Sequence, residues 1–88
     1  MATKEIELSI LTPQRNVFSG RVQSLVVPAY EGYLGVLTDH APFICLLKNG
    51  RITARADERA YQFSISSGLM EVLVNKVSIL ADSAESIQ

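Results

Sequence analysis

Asp39 and His40 stand side by side in this sequence, and a carboxylate beside an imidazole is the pairing that general acid–base chemistry uses. Adjacent residues on extended chain point to opposite faces, however, and no Ser or Cys nucleophile shares a recognisable motif with them. The pair therefore reads as a turn. In that reading Asp39 makes an Asx-type turn while His40 braces the loop before Pro42. Cys45 is the single cysteine, so it closes no internal disulfide. One Cys and one His also leave a zinc site two ligands short, and neither metal nor cofactor is expected. Cys45 reads either as a small packed side chain or as a contact residue. Arg51 and Arg55 can share one strand face, but Asp57 and Glu58 interrupt the series before Arg59 and no aromatic platform accompanies it. That pattern describes a solvated face, and nucleic acid is not an expected partner. No glycine-rich phosphate loop precedes a helix.

The elements that must position these residues are strands. Ile6, Leu8 and Ile10 alternate with Glu5, Glu7 and Ser9, as a half-buried strand requires. Ile52, Ala54 and Ala56 oppose Arg51, Thr53 and Arg55; Tyr61, Phe63 and Ile65 oppose Gln62 and Ser64; Val77, Ile79 and Ala81 oppose Ser78 and Leu80. Turn signals separate the runs at Pro13 to Asn16, Ser19-Gly20, Glu31-Gly32, Lys48-Asn49-Gly50, Asp57-Glu58, Ser67-Gly68 and Asn75-Lys76. No useful stretch has apolar residues at helical spacing, so helix should be nearly absent. The expectation is an all-β fold, an antiparallel β-sandwich of about ten short strands in two sheets. Leu25-Val26-Val27 and Ile44-Cys45-Leu46-Leu47 are continuous apolar runs. They suit strands covered on both sides or strands carrying an exposed docking patch.

With 88 residues, 48% of them hydrophobic, and a formal net charge of −1, the chain suits one globular domain. The domain is expected to span residues 1–88, with residues 83–88 as a polar tail. No apolar run reaches the roughly 18–20 residues that cross a bilayer, and Met1-Ala2-Thr3-Lys4-Glu5 lacks the apolar core of a secretory signal. Direct membrane insertion is not expected, and one cysteine fits a reducing compartment.

Within Glu31 to Pro42, Gly32 and Gly35 permit positive φ or close backbone approach, while Pro42 fixes its own φ and keeps Ala41 out of the helical region. This segment resembles the signature of the epsilon subunit of F-type ATP synthases, in its amino-terminal β-sandwich domain. Leu11-Thr12-Pro13 with Val17-Phe18-Ser19-Gly20 resembles the opening of that domain, Ser66-Ser67-Gly68-Leu69-Met70-Glu71-Val72 its late strands, and Asn75 to Glu85 its end. The likeness covers about Glu5 to Glu85 in the family's order. It implies a non-catalytic central-stalk subunit, not an enzyme, that binds the shaft subunit gamma and contacts the c-ring at the cytoplasmic face of the bacterial inner membrane. Such a subunit couples proton or sodium translocation to ATP synthesis and is expected to be monomeric when isolated.

By matched position the resemblance implies a gamma interface of Thr12, His40, Ala41, Pro42 and Cys45. It implies a c-ring interface of Glu31, Gly32 and Tyr33, where Tyr33 replaces an acid common in the family and offers ring area and one hydroxyl instead. Most members continue into two helices implicated in inhibition and, in some, in ATP binding. The sequence ends before them, so those properties are not expected of it. The rival expectation is a free-standing peptide- or carbohydrate-binding sandwich, which would need a concave site with clustered aromatics, whereas Trp is absent and Phe18, Phe43 and Phe63 are dispersed.

Overall fold

A computed structural model describes residues 4–87, and every regular element among them is a strand. These are β1 (Ile6–Leu11), β2 (Asn16–Val22), β3 (Ser24–Ala29), β4 (Gly32–Leu37), β5 (Phe43–Leu47), β6 (Gly50–Ala56), β7 (Arg59–Leu73) and β8 (Lys76–Ile87). Met1 to Thr3 and Gln88 lie outside the described residues. The count is eight rather than about ten because β7 and β8 are single strands of 15 and 12 residues. Ser67-Gly68 does not end a strand but sits inside β7, and Ser19-Gly20 sits inside β2. Residues 83–87 are likewise not a free tail: they complete β8, pairing Ala84 with Ile65 and Ile87 with Gln62, and Ala84 is buried.

Pairing sorts the strands into two layers. The first runs β2–β1–β8–β7–β5 and uses residues 76–81 of β8 and 68–73 of β7. The second runs β4–β3–β6–β7–β8 and uses residues 59–65 of β7 and 84–87 of β8. Each long strand thus serves both layers, and eight strands supply ten paired segments. β5 and β6 act together as a third such strand, interrupted at Lys48-Asn49, since Leu47↔Gly68 and Gly50↔Ile65 continue one register along β7.

Where these strands pass between layers, side chains replace the ladder. Ser67 N–H donates to Asn49 Oδ1 at 3.0 Å, the Ser67 hydroxyl donates to Asp82 at 3.0 Å, and the Ser66 and Ser83 hydroxyls lie 2.6 Å apart. Side-chain parity changes at the same line: the buried positions go from Phe63 and Ile65 to Met70 and Val72 in β7, and from Ile79 and Ala81 to Ala84 in β8. Gly68 is required here, because a Cβ would stand 2.5 Å from the Leu80 carbonyl oxygen.

One pairing departs from the expected antiparallel pattern: β1 and β8 run parallel, from Glu7↔Lys76 to Leu11↔Leu80. A parallel pair needs a long crossover, and the whole intervening chain provides it. The alternation read in the sequence places Ile6, Leu8 and Ile10, then Ile52 and Ala54, then Val77 and Ile79 in one core at 0–1% exposure, and no polar residue is buried among the described residues. Each fully buried Leu or Ile contributes roughly 1.5–3 kcal/mol.

Gly68→Ala should therefore destabilise the fold by about 1–3 kcal/mol through overpacking. Gly35→Ala, whose Cβ meets open space, should leave stability unchanged or raise it by up to about 1 kcal/mol. Urea unfolding of the two variants distinguishes the line between the layers, which needs its glycine, from β4, which tolerates a methyl.

Candidate partner interface

A sheet packed on one side alternates inward and outward residues, and outward positions are ordinarily polar. The first layer departs from that rule in one row. Leu46↔Leu69, Leu69↔Leu80 and Leu80↔Leu11 are direct cross-strand partners, so four leucines line up across β5, β7, β8 and β1 on the outer face. Leu46, Leu80 and Leu69 are 62%, 53% and 36% exposed. At strand spacings near 4.8 Å the row is roughly 14 Å long. The next row outward from the crease is Ile44, Glu71, Ser78 and Ser9, and the one beyond it carries Leu73, Lys76, Glu7 and Arg21. An apolar stripe with a charged margin is the anatomy of a docking surface. The second layer presents Arg51, Thr53 and Arg55 on β6 with Gln62, Ser64 and Glu85 beside them, a solvated patch as the arginine pattern implied, while Val26 and Leu37 are exposed apolar residues on β3 and β4 of the same layer.

Sequence reasoning missed Leu11, Leu69 and Leu80 as surface residues. The signal was present: strict alternation already put Leu80 on the outer face of its strand, and the Ile44 to Leu47 run already marked an apolar surface.

The loop after β4 is pinned by Asp39, which holds a left-handed φ of 62°. Its carboxylate accepts from Lys4 Nζ at 2.6 Å and from Asn75 Nδ2 at 3.1 Å, while its own N–H donates to Asn75 Oδ1 at 2.8 Å. Asn75, also left-handed at 58°, gives its carbonyl to Glu7 N–H. Donation from Lys4 and Asn75 holds the Asp39 carboxyl below the usual carboxylate range. His40 turns away from it: Nδ1 lies 3.0 Å from the Ala41 carbonyl and the ring sits 4.8 Å from that of Phe43. Asp39 and His40 therefore form no dyad, and the loop carries both as anchors, leaving Ala41 and Pro42 exposed.

At the opposite end of β4, Tyr30-Glu31 closes the β3–β4 hairpin and Gly32 takes a φ of 130°, which a side chain would strain. Tyr30 and Tyr33 project at 63% and 62% exposure, and the Tyr33 hydroxyl accepts from Arg51 N–H at 3.4 Å. Cys45 faces inward, packed against the core while Ile44 and Leu46 face out, and burial pushes its thiol pKa up. Thr12 closes the β1–β2 turn, donating N–H to the Arg15 carbonyl at 2.9 Å and accepting Arg15 N–H at 3.2 Å, beside the Leu11 end of the row. The structure thus splits the sequence-derived candidates. Thr12 borders the apolar row at its Leu11 end, Glu31, Gly32 and Tyr33 share a groove with Cys45 and Leu46, and His40, Ala41 and Pro42 sit at the far end of β5.

Two layers of strands around one apolar core, with an exposed apolar row on one outer face, put the chain in the class of β-sandwich domains. Residues 5–87 match the family described as ATP synthase, Delta/Epsilon chain, beta-sandwich domain, and the chain belongs to that family. It is 45% identical over 85 residues to the ATP synthase epsilon chain of Pelotomaculum thermopropionicum, covering 97% of this chain and 63% of that one. It is 43% identical over 81 residues to the epsilon chain of Moorella thermoacetica, covering 91% and 60%. The chain therefore spans about three-fifths of the length of these relatives. Its fold matches a chain in the mitochondrial ATP synthase OSCP/F1/c-ring structure of Euglena gracilis, with TM-score 0.88, 22% identity and coverage of 94% of this chain and 54% of that one. A chain in the central stalk/c-ring structure of the Tetrahymena thermophila enzyme matches with TM-score 0.77, 14% identity and coverage of 97% and 69%.

The Lys4–Asp39–Asn75 tie sets a sign for pH. A carboxyl whose folded pKa is depressed stabilises the fold above its ordinary titration range and loses that contribution as pH falls through the depressed value. Lys4→Ala should raise the Asp39 midpoint toward the ordinary carboxylate value, read by NMR titration of the Asp39 side-chain carbon; an unmoved midpoint would show that Lys4 does not set it.

Proposed function

We propose that this chain is a non-catalytic central-stalk subunit of an F-type ATP synthase. It binds the shaft subunit gamma at its side and seats on the c-ring at its base, so that rotation driven by proton or sodium flow reaches the catalytic head. The observation that carries this reading is the row Leu46–Leu69–Leu80–Leu11, an exposed apolar line that runs unbroken across four paired strands. Family membership supports the same reading.

Gamma covers the row together with Thr12 beside Leu11, meets Cys45 through the groove that its inward side chain lines, and reaches the anchored loop at His40, Ala41 and Pro42. The c-ring loops meet Glu31, Gly32 and Tyr33, where Tyr33 supplies contact area in place of a second charge. The interface is of standard size or larger, roughly 800 Å² or more per partner. Transmission of torque needs a body that does not deform, and a close-packed interior has low compressibility. Among the described residues no helix is long and apolar enough to cross a membrane. The cytoplasmic face of the bacterial inner membrane is the site where that complex meets both partners.

A free-standing sugar- or peptide-binding module would gather its aromatics in one concavity. Tyr30, Tyr33 and Phe43 do line one groove, while Phe18 packs inward against Tyr61 and Phe63 with centroids 5.1 and 5.3 Å apart, so it is family membership rather than the aromatics that favours the stalk reading. Leu69→Lys and Leu80→Lys place a charge on the exposed face and leave the core untouched. Each should weaken co-purification with gamma by on the order of 30-fold or more, the scale of an interface hot spot, with an unchanged melting temperature. Undiminished binding of the double variant would contradict the assignment of this face.

A further inference from the structure

The two layers do not close against each other everywhere. β4 pairs only with β3, and β5 pairs with β7 along its whole length but joins β3 through a single bridge, Ala29↔Leu47. Along residues 43–46 one edge of β5 therefore has no strand beside it among the described residues. Lys48 N–H donates to the Pro28 carbonyl at 2.9 Å, which fixes the direction of alternate amides in β5. Backbone groups two residues apart point the same way, so the Ile44 N–H and C=O and the Leu46 N–H face this open edge. β4 meets them across a groove of about 540 Å³ walled by Leu34, Phe43, Cys45, Leu46, Tyr30 and Tyr33.

Unpaired strand edges are templates for strand addition, and natural proteins usually blunt them with charge, proline or bulges. β4 has none of these: Gly32-Tyr33-Leu34-Gly35-Val36-Leu37 carries no charged residue and no proline. The other outer edge, β2, carries Arg21, and its pairing with β1 is broken by a register shift at Ile10/Leu11. An unprotected edge beside an apolar groove is the geometry by which β-augmentation recognises an extended peptide, with backbone bonds giving affinity and pockets taking alternate side chains.

We propose that the seam between β4 and β5 takes an extended segment of the gamma shaft subunit, added as a strand to the free edge of β5. This rests on the assignment of gamma to the leucine row, with which the seam is continuous through Leu46, a wall of both. The segment places small apolar side chains inward against Leu34, Phe43 and Cys45. Glu31 is the one charged residue in the wall, so the segment carries a Lys or Arg, and no acid, at the hairpin end. The seam thereby joins the side contact to the base: one strand of the partner touches Cys45 and the Glu31-Gly32-Tyr33 turn together.

Amide hydrogen exchange of the chain, free and bound to the gamma subunit of the same ATP synthase, tests this. Strand addition slows exchange at Ile44 and Leu46 by on the order of 100-fold, while amides of β2 are unchanged. Backbone N-methylation at Ile44, introduced by ligation at Cys45, removes a donor that no strand of this chain uses. It should weaken gamma binding several-fold without altering the melting temperature. If gamma binds but the two amides exchange as in the free chain, or N-methylation leaves affinity unchanged, strand addition is overturned and the leucine-row interface stands. If gamma does not bind at all, both fall.

Discussion

The line at which β5–β6, β7 and β8 cross between layers is the constraint on which the rest of the molecule depends. Three adjacent strands change layer at once, the β7–β8 ladder skips Ser67 and Asp82, and side chains join across the line, Ser66 to Ser83 and Ser67 to Asp82. Asn49 suits this line because the Ser67 N–H that it frees needs a partner. Gly68 suits it because the backbones of β7 and β8 approach too closely for a Cβ. The exchange of parity across the crease then decides which residues face out. Beyond it the outward positions of β5, β7 and β8 start with Leu46, Leu69 and Leu80, so the apolar row lies immediately beside the fold line rather than at the sheet margin.

That placement connects structure to mechanics. A row beside the crease sits over the best-supported part of the first layer, where β1 pairs with β8 and β8 with β7 without a break from Lys76 to Leu80. A load applied there passes into paired backbone and a core with no buried polar residue among the described residues. The loops at the two ends are held differently. The Lys4–Asp39–Asn75 tie fixes the loop before Pro42 by charge-assisted bonds, whereas Glu31-Gly32 depends on a glycine conformation and two exposed tyrosines. The first is a brace, and the second is a shaped contact surface.

Much of this was legible in the residues. Period-two alternation at Ile6, Leu8 and Ile10 and at Val77, Ile79 and Ala81 named core positions without knowledge of which strands pair. Strand count was not legible at Ser67-Gly68, because a glycine that permits close approach looks the same in sequence as a glycine that turns the chain. The parallel β1–β8 pair was not legible either, since alternation carries no information on neighbours. For the same reason Leu11, Leu46, Leu69 and Leu80 did not appear as a unit: they are far apart in the chain and meet only through register. Cys45 illustrates the converse. Its position after Pro42 suggested a contact, and strand parity turns it toward the core and the seam.

We propose that gamma grips the outer face of the β2–β1–β8–β7–β5 layer. Cryo-electron microscopy of the chain assembled with its own gamma subunit and c-ring measures it directly. The account predicts Leu11, Leu46, Leu69 and Leu80 covered by gamma, with Arg51, Arg55 and Gln62 of the other layer left in solvent. A structure in which gamma lies on Arg51, Arg55 and Gln62 while the four leucines face water would contradict it.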